Sequence, residues 1–354
     1  GMRRTLSAVR PTNFGDIIAL VSLYRPGPMD NIPLFGARKN GREKVEYPHE
    51  LLEPILKETY GIFVYQEQVM QAAQVLAGYS LGGADLLRRA MGKKKQEEMD
   101  QQRAIFVAGC KEHHDIPEAK ANELFDLIDK FAGYGFNKSH AAAYALLAYQ
   151  TAWLKAHYPE EFFAASMCFD MHQTDKLGIF VDDMRRLDIT CLPPTLNESE
   201  AEFSVETTEE GGRAVRYALA GLKNVGEKAM ETVVAERRAK GAFKSLDDLT
   251  GRIDPTLLNK RSIETLAAAG AFDALNPDRA AVQAGAETIL AAAQSAKAMR
   301  DSGQGGLFGG DESDAPALRL PGVAAWTAGE TIMQEKDAFG FYFSDHPIAQ
   351  YADQ

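Results

Sequence analysis

The sequence predicts a mainly α-helical protein that contains one short β segment. From Asn13 to about Met171, apolar residues recur at helical spacing, and glycine or proline follows each such run. The alternating runs AEFSV and RAVRYALAGL flank the Gly211–Gly212 turn, which predicts a pair of short strands. With 354 residues and 45% hydrophobic composition, the chain can bury cores for two or three domains.

Four helices are predicted in the first half of the chain. NFGDIIALVSLYRPGPM reads as a capped helix that the prolines from Pro26 onward stop. YQEQVMQAAQVLAGYS and PEAKANELFDLIDKFAGYG each carry an apolar stripe and end at Gly78 and Gly133. SHAAAYALLAYQTAWLKAHYP begins at Ser139, a residue type that favours the N-cap position. The two stripes comprise Val69, Ala72, Ala73 and Leu76, and Leu124, Ile128 and Phe131.

Helices return after the strand pair, punctuated by Gly226, Gly241 and Gly270. An alanine-rich helix is predicted from Arg279 to about Met299. DSGQGGLFGGDESDAP then has the composition of a flexible acidic linker. The following DAFGFYFSDHPIAQY is interpreted as the opening strand and turn of a domain that is cut short.

Composition excludes several classes of protein. No run approaches the length of a membrane span, and GMRRTLSAVRP lacks the apolar centre of a signal peptide. Three widely spaced cysteines argue against a disulfide framework and favour a reducing cytoplasm. Cys110, His113 and His114 suggest zinc, but no further ligands are evident, so they are interpreted as helix-surface residues.

The loop FAGYGFNKSH leads into the longest predicted helix. It is not a phosphate-binding P-loop, because the required glycines fall at Ala132 and Asn137. A helix N-terminus nevertheless favours anions, so Lys138, His140 and the ring of Tyr134 predict a site for a triphosphate and a stacked base or sugar. The alternative is a helix-capping loop whose aromatic residues anchor the core.

The charge is unevenly distributed along the chain. A net charge of −11 disfavours nucleic acid as a partner, and Glu198–Glu210 holds six acids and no base. Arg88–Lys95, RRAMGKKK, instead holds five bases and no acid. Arg88 and Arg89 suit bidentate contact with phosphate, and the three lysines act as point charges. The alternative is a solvated helix end with cations near its C-terminus.

LKNVGEKAMETVV has the pattern of a helix-hairpin-helix. Val225 is the expected apolar anchor and Gly226 the expected tight-turn residue, with Lys223 and Lys228 beside a phosphate. LNKRSIETLAAAGAFDAL reads as a second, degenerate copy. The alternative is a helical hairpin that binds protein. The acidic pairs Asp182–Asp183 and Asp247–Asp248 are not assigned to catalysis, because adjacent residues point to different sides.

QGGLF, residues 304 to 308, places an apolar pair inside the predicted linker. Such a pair is typical of a short docking peptide, although an accidental pair of hydrophobic residues in a loop fits the pattern equally well.

Together these stretches resemble one family, the alpha, catalytic subunit of bacterial replicative DNA polymerase III. The matching stretches follow the family's order over nearly the whole chain: LVSLYRPGPM, YGIFVYQEQVMQAAQVLAGYSLGGADLLRRAMGKKK, FAGYGFNKSHAAAYALLAYQTAWLKAHYP, LKNVGEKA and GFYFSDHPI.

The resemblance implies four regions. Residues 1–195 would be the fingers domain, with Arg88, Arg89, Tyr134 and His140 around the incoming deoxynucleoside triphosphate. Residues 196–278 would be a duplex-binding tandem helix-hairpin-helix module. Residues 279–318 would be a helix and linker with a sliding-clamp-binding peptide, and residues 319–354 an incomplete OB domain. The clamp anchor positions would be Gln304, Leu307 and Phe308.

The resemblance also implies what this chain lacks. The palm with its three metal-binding aspartates, the N-terminal polymerase-and-histidinol-phosphatase-like domain and the tau-binding tail are absent. We therefore expect no catalytic residue, metal ligand or cofactor in this chain, with Mg²⁺ bound through the palm of the intact enzyme. The isolated chain should not polymerise, and metal-dependent nucleotide incorporation by it would refute this expectation.

The expected partners are primer-template DNA, the incoming dNTP, the beta sliding clamp and other replicase subunits, at the nucleoid in the cytoplasm and away from membranes. Two alternatives stay open. One is the error-prone paralogue of mutagenic repair, against which QGGLF argues. The other is a non-enzymatic module that binds DNA and docks on the clamp.

Overall fold

The computed structural model describes residues 1–93, 96–302 and 318–345, and it confirms the predicted mainly α class. The chain divides into two compact units, Gly1–Ala152 and Trp153–Gln354. The four finer domain boundaries stay predictions. Lys94, Lys95 and the predicted docking peptide at residues 304–308 lie outside the described residues. No helix in the described part is long and apolar enough to cross a membrane.

The first unit is built from helices around two buried clusters. Its helices are α1 Met2–Val9, α2 Phe14–Leu23, α3 Ile32–Lys39, α4 Glu53–Leu56, α5 Gln66–Ala77, α6 Leu81–Lys93, α7 Gln96–His114, α8 Glu118–Ala132 and α9 Lys138–His157. The predicted apolar stripes of α5 and α8 lie together in one cluster, which also includes residues of α6 and α7. The second cluster joins α1, α2 and α3 to Ala141 and Ala145 of α9.

Two helix starts in this unit follow from capping chemistry. Asn13 caps α2 as predicted, because its side chain accepts from the Asp16 N–H while the Asp16 carboxylate accepts from the Asn13 N–H. For α9, the prediction of Ser139 as the cap was wrong. The helix begins at Lys138, and the side-chain oxygen of Asn137 accepts from the His140 N–H at 2.8 Å. Asn137 therefore serves as the N-cap residue, two positions before Ser139.

The second unit contains a small sheet and the remaining helices. The predicted strand pair is confirmed as β2 Ser204–Thr207 antiparallel to β3 Arg213–Arg216, and β1 Thr190–Leu192 adds a parallel strand to β3. The helices are α10 Pro159–Phe169, α11 Thr174–Arg186, α12 Glu227–Lys240, α13 Leu246–Arg252, α14 Lys260–Ala268, α15 Arg279–Ala284, α16 Ala286–Ser302 and α17 Ala328–Phe339.

Two predictions for the end of the chain were wrong. The single alanine-rich helix is broken into α15 and α16 at Gly285, where a Cβ atom would lie 2.6 Å from the Leu320 side chain. The stretch interpreted as an opening strand instead ends helix α17, and no strand lies within the described residues 318–345. Phe339 and Phe343 stack at 4.4 Å and pack on Tyr217, so this stretch completes the core of the second unit.

Candidate functional site

The loop before α9 is held by backbone pairing with the segment that precedes α5. The Phe136 N–H donates to the Val64 carbonyl at 3.1 Å, and the Gln66 N–H donates to the Phe136 carbonyl at 3.0 Å. These two bonds fix the start of α9, and therefore Lys138 and His140, relative to the extended segment 64–66 that precedes α5.

The N-terminus of α9 already holds a carboxylate. Glu67 accepts from the Lys138 backbone N–H at 3.0 and 3.2 Å and from the Asn137 side-chain amide at 2.8 Å. The Lys138 ammonium lies 2.7 and 2.8 Å from the two oxygens of Glu58 and 5.3 Å from the centre of the Tyr65 ring. The protein's own carboxylates thus occupy the anion position that the sequence assigned to phosphate at this helix start.

Tyr134 packs against a glycine of the loop that follows α2. Gly27 has a φ of 96°, and a Cβ atom placed there would lie 2.6 Å from the Tyr134 ring. The ring is about half exposed, with 47% of its surface accessible. Only glycine permits both this backbone conformation and this close approach, so Gly27 makes the space in which the Tyr134 ring packs.

Arg25 is the residue of this site that sequence reasoning missed. Its guanidinium donates to the Tyr134 carbonyl at 2.7 Å and to the Ser22 carbonyl at 2.9 Å, and it lies 4.5 Å above the Phe136 ring. Partial burial lowers the pKa of Arg25 from its ordinary value. Within the described chain no carboxylate pairs with it. The available signal in the sequence is an arginine inside a proline- and glycine-rich turn, RPGP, a pattern that by itself predicts only the end of a helix.

His140 lies in a row of aromatic rings on the first two turns of α9. Its imidazole centre is 5.4 Å from the Phe136 ring and 4.7 Å from the Tyr144 ring. Both His140 and Tyr144 are exposed to solvent. Because Arg25 stacks on the other aromatic neighbour, Phe136, one continuous group of contacts joins Tyr134, Arg25, Phe136 and His140.

Arg88 and Arg89 lie together on α6 and share one carboxylate. Asp85 is 2.7 Å from the Arg88 guanidinium and 2.8 Å from that of Arg89. The hydrogen bond from Arg88 lowers the pKa of Asp85. Two cations against one anion leave a local excess of positive charge. Over the described residues, no hydrogen bond, ion pair or ring contact joins either arginine to Tyr134 or His140, and Lys94 and Lys95 lie outside the described residues.

The predicted hairpin places its two lysines beside the open start of α12. Val225 is buried and anchors the turn, as predicted. The residue with left-handed backbone is Asn224, with a φ of 60°, whereas Gly226 has a φ of −80°. The prediction that Gly226 permits the tight turn was therefore wrong. A Cβ atom at Gly226 would meet only the Ala229 side chain, at 4.0 Å, so the glycine leaves the approach to the helix open instead.

No side chain in the described chain caps α12, and Lys223 and Lys228 are both exposed without a carboxylate partner there. The first N–H groups of a helix have no partner within the helix. This start of α12 therefore combines uncapped N–H groups, the positive end of a helix dipole and two exposed cations, with one acid, Glu227, in the same turn. That combination can bind a phosphate group.

The second copy of the hairpin differs in this respect. Asn259 caps α14 by accepting from the Ser262 N–H at 2.9 Å, and Lys260 pairs with Glu287 at 2.8 Å. In both copies the first helix is reduced to a 3₁₀ turn, Leu219–Gly221 and Pro255–Leu257. The second start is thus filled by the protein itself, which fits its interpretation as degenerate.

Two further interpretations from the sequence concern ligands for metals. The acidic pair on α11 binds neighbouring cations, Asp182 with Arg185 and Asp183 with Lys155, and the pair on α13 lies in the first turn of that helix. The interpretation of Cys110 as a helix-surface residue was wrong, because its side chain is buried, and burial raises the pKa of the thiol to about 11. Over the described residues there is no group of three or more possible metal-binding side chains.

Two family models match this chain. Residues 1–114 match the bacterial DNA polymerase III alpha subunit finger domain, and residues 188–282 match a helix-hairpin-helix motif. Arg25, Arg88 and Arg89 lie within the first match, and the open hairpin lies within the second. Tyr134 and His140 lie between the two matches.

Similar proteins named DNA polymerase III subunit alpha match almost the whole chain. The relative from Caulobacter vibrioides is 54% identical over 98% of the chain, and that from Neisseria meningitidis serogroup B is 49% identical over all of it. The relative from Thermus aquaticus is 49% identical over 99% of the chain. The chain spans about 30% of the length of the first two relatives and 28% of the third.

Proposed function

Because this chain is related over its whole length to part of the bacterial DNA polymerase III alpha subunits, we propose that it supplies DNA and nucleotide contacts to a replicative DNA-directed DNA polymerase. The observation that carries the proposal is the uncapped start of α12 between Lys223 and Lys228. For the region that matches the finger-domain model, the proposed function is contact with the incoming dNTP.

The hairpin binds the DNA backbone and does not read its sequence. The helix start presents N–H groups and a dipole to an anion, and these contacts carry no information about bases. Val225 fixes the turn in the core, and the missing side chain at Gly226 lets a phosphate approach the backbone. The two lysines have no carboxylate partner in the described chain, so they add positive charge beside the one acid of this turn, Glu227, which lies 3.8 Å from His172. Affinity from such contacts falls steeply as salt rises, since binding releases counterions.

The nucleotide site uses Tyr134 as a flat surface for base or sugar and His140 beside the phosphates. Arg88 and Arg89 supply the charge, and a triphosphate would replace Asp85 as their partner, because each guanidinium can bind phosphate bidentately. Lys138 joins this site only after exchanging its bond to Glu58 for one to phosphate. Electrostatic contact of this kind offsets the charge that develops as pyrophosphate leaves.

Sliding-clamp docking through Gln304, Leu307 and Phe308 rests on the sequence alone. In the whole enzyme, phosphoryl transfer would use Mg²⁺ bound outside this chain. The described residues offer no group of three possible ligands for such an ion.

A second candidate function is a DNA-binding module without a nucleotide site. It is favoured by the carboxylates that already neutralise the start of α9 and the Lys138 ammonium. Nucleotide affinity separates the two candidates. Calorimetric titration with a dNTP should give binding that Arg88→Ala/Arg89→Ala abolishes in the first case, and no binding by the wild type in the second.

The experiment that tests DNA binding is fluorescence anisotropy of a labelled duplex over a series of salt concentrations. Lys223→Ala/Lys228→Ala should weaken binding about tenfold at low salt and flatten the slope of log K against log salt by about 1.8, that is 0.9 for each lost phosphate contact. The control is Arg186→Ala/Lys244→Ala, which removes the same charge from exposed cations elsewhere in the unit. Equal losses in both variants would refute a specific role for the hairpin.

A further inference from the structure

The first 44 residues are basic although the chain is acidic. They contain eight arginines and lysines and three acidic residues, a net charge of +5, which leaves −16 for the rest of the chain. An acidic protein that concentrates positive charge in one stretch has a local field of opposite sign there. This stretch forms α1, α2 and α3, and neither the hairpin nor the nucleotide contacts use its helix α1.

Helices α1 and α3 approach closely and leave a groove between them. A Cβ atom on Gly36 would lie 3.3 Å from the Val9 side chain and 3.7 Å from the Ala8 carbonyl, so the two backbones nearly touch at that point. The groove beside this contact has a volume of about 420 Å³. Its floor is apolar, and Arg4 and Arg42 lie on its lining. We call it the arginine groove.

No acidic residue lines the arginine groove. The Arg42 guanidinium donates to two backbone carbonyls, those of Ala8 at 3.3 Å and Gly36 at 3.4 Å. These bonds orient the guanidinium and leave its other N–H groups available to a ligand. Arg3 and Arg10, also on or next to α1, are exposed. For all four arginines, the described chain supplies no carboxylate partner.

Neighbouring cations behave differently. Lys39 is buried against Asp16 at 3.4 Å and donates to the Thr12 hydroxyl, and Arg38 lies 3.8 Å from Glu43. Two of the three acids of this stretch, Asp16 and Glu43, therefore lie beside cations that pack within the unit. The arginines of the groove lie at the surface and are not part of a buried core.

We propose that the arginine groove binds the backbone of single-stranded nucleic acid. The two guanidiniums on its lining suit phosphates of one strand, and the exposed apolar residues of the lining, Ala8 and Pro33, suit the sugars and the splayed bases of an unpaired strand. A duplex keeps its bases stacked inside and cannot use this floor. This inference rests on the proposed function in one respect, namely that the protein works on DNA and so meets single strands. It uses none of the hairpin residues.

The test is anisotropy of a fluorescein-labelled oligothymidylate with the whole chain, at several salt concentrations. Arg4→Glu/Arg42→Glu should weaken binding at least tenfold at low salt and flatten the slope of log K against log salt by about 1.4, that is 0.7 for each phosphate contact on a single strand. The charge-matched control is Arg186→Glu/Arg319→Glu, which alters exposed cations of the other unit and should change the slope by less than half as much.

Three results would overturn the proposal. The first is equal binding by wild type and Arg4→Glu/Arg42→Glu when circular dichroism shows both to be folded. The second is an equal loss of duplex affinity, which would mean that the groove does not select single strands. The third is displacement of the oligothymidylate by an oligoglutamate of equal charge, which would indicate an acidic peptide as the partner. Because Lys223→Ala/Lys228→Ala leaves the groove intact, failure of the hairpin proposal is measured separately.

Discussion

Gly27→Ala should destabilise the first unit and displace the ring of Tyr134. The substitution has two costs. The φ of 96° is unfavourable for alanine by about 1–2 kcal/mol, and the new methyl group would lie 2.6 Å from the ring, an overpacking that costs about 1–3 kcal/mol more. The expected total is about 2–5 kcal/mol. Arg25 holds the Tyr134 backbone through its carbonyl at 2.7 Å, so the ring can move away from the new methyl group only by rotation of its side chain.

Gly41 provides a matched control for this prediction. Its φ is 68°, also in the left-handed region, but a Cβ atom there would meet nothing within 4 Å. Gly41→Ala therefore carries a backbone cost of the same order, about 1–2 kcal/mol, without the steric cost. The difference between the two variants then reports chiefly the contact with Tyr134, together with any extra backbone cost of the ψ of −72° at Gly27.

The assay is hydrogen exchange of the whole chain followed by mass spectrometry, read on peptides that cover residues 131–140 and on peptides from α5. Gly27→Ala should raise the exchange rate of the first set by about fivefold to a hundredfold relative to Gly41→Ala, which corresponds to a difference of about 1–3 kcal/mol in local opening free energy. Equal exchange in the two variants would show that the Tyr134 ring relaxes without cost, and the reasoning would then be wrong.

Three further predictions concern the second unit. Arg237→Met should lower the free energy of unfolding by about 2–4 kcal/mol, because the buried guanidinium donates to the Leu196 and Ser199 carbonyls at 2.8 and 2.6 Å, whereas the exposed Arg238→Ala should cost under about 0.5 kcal/mol. Phe339→Ala should cost about 3–5 kcal/mol, since its fully buried ring stacks on a second phenylalanine at 4.4 Å. Asp254, whose pKa is lowered to about 2, chiefly by the hydrogen bond from Lys297, should stabilise the folded state above the pKa of an unfolded aspartate and lose that effect as pH falls towards 2.

Each of these is measured by urea denaturation followed by circular dichroism. Similar midpoints for Arg237→Met and Arg238→Ala would contradict the first prediction, and a Phe339→Ala variant as stable as Phe339→Leu would contradict the second. For the third, the comparison is Asp254→Asn with wild type from pH 7 to pH 2. The two stabilities should converge as pH falls, and a gap that stays constant would show that the charge of Asp254 is not responsible.

The sequence predicted the helices whose cause is local. The stripe of α5 and its end at Gly78 follow from spacing and from a left-handed glycine, and both are found. The helix after Arg279 illustrates the limit. Its alanines favour one continuous helix, but the chain at Leu320 packs against Gly285, and only a contact between distant segments decides that break.

In the candidate site, too, local features could be predicted from the sequence, whereas contacts between distant segments could not. The aromatic loop, the hairpin and its lysines could be found from residue types and spacing. The carboxylates of Glu58 and Glu67, which occupy the positions expected for phosphate, come from segments about 70 to 80 residues away. Arg25 joins the site through a bond that spans 109 residues. Spacing along the chain carries no information about such partners.

The hydrogen bonds that join the loop around Tyr134 to distant segments affect the order in which the first unit folds. Contacts among α5, α7 and α8 join neighbouring segments and cost little loop-closure entropy, whereas the bonds of Arg25 and Phe136 close loops of about 70 residues or more. We expect the helical cluster to form the folding nucleus and the aromatic loop to be added after the transition state. Substitutions at Arg25 or Gly27 should then leave the folding rate nearly unchanged and accelerate unfolding, so the loop would open first whenever the unit begins to unfold.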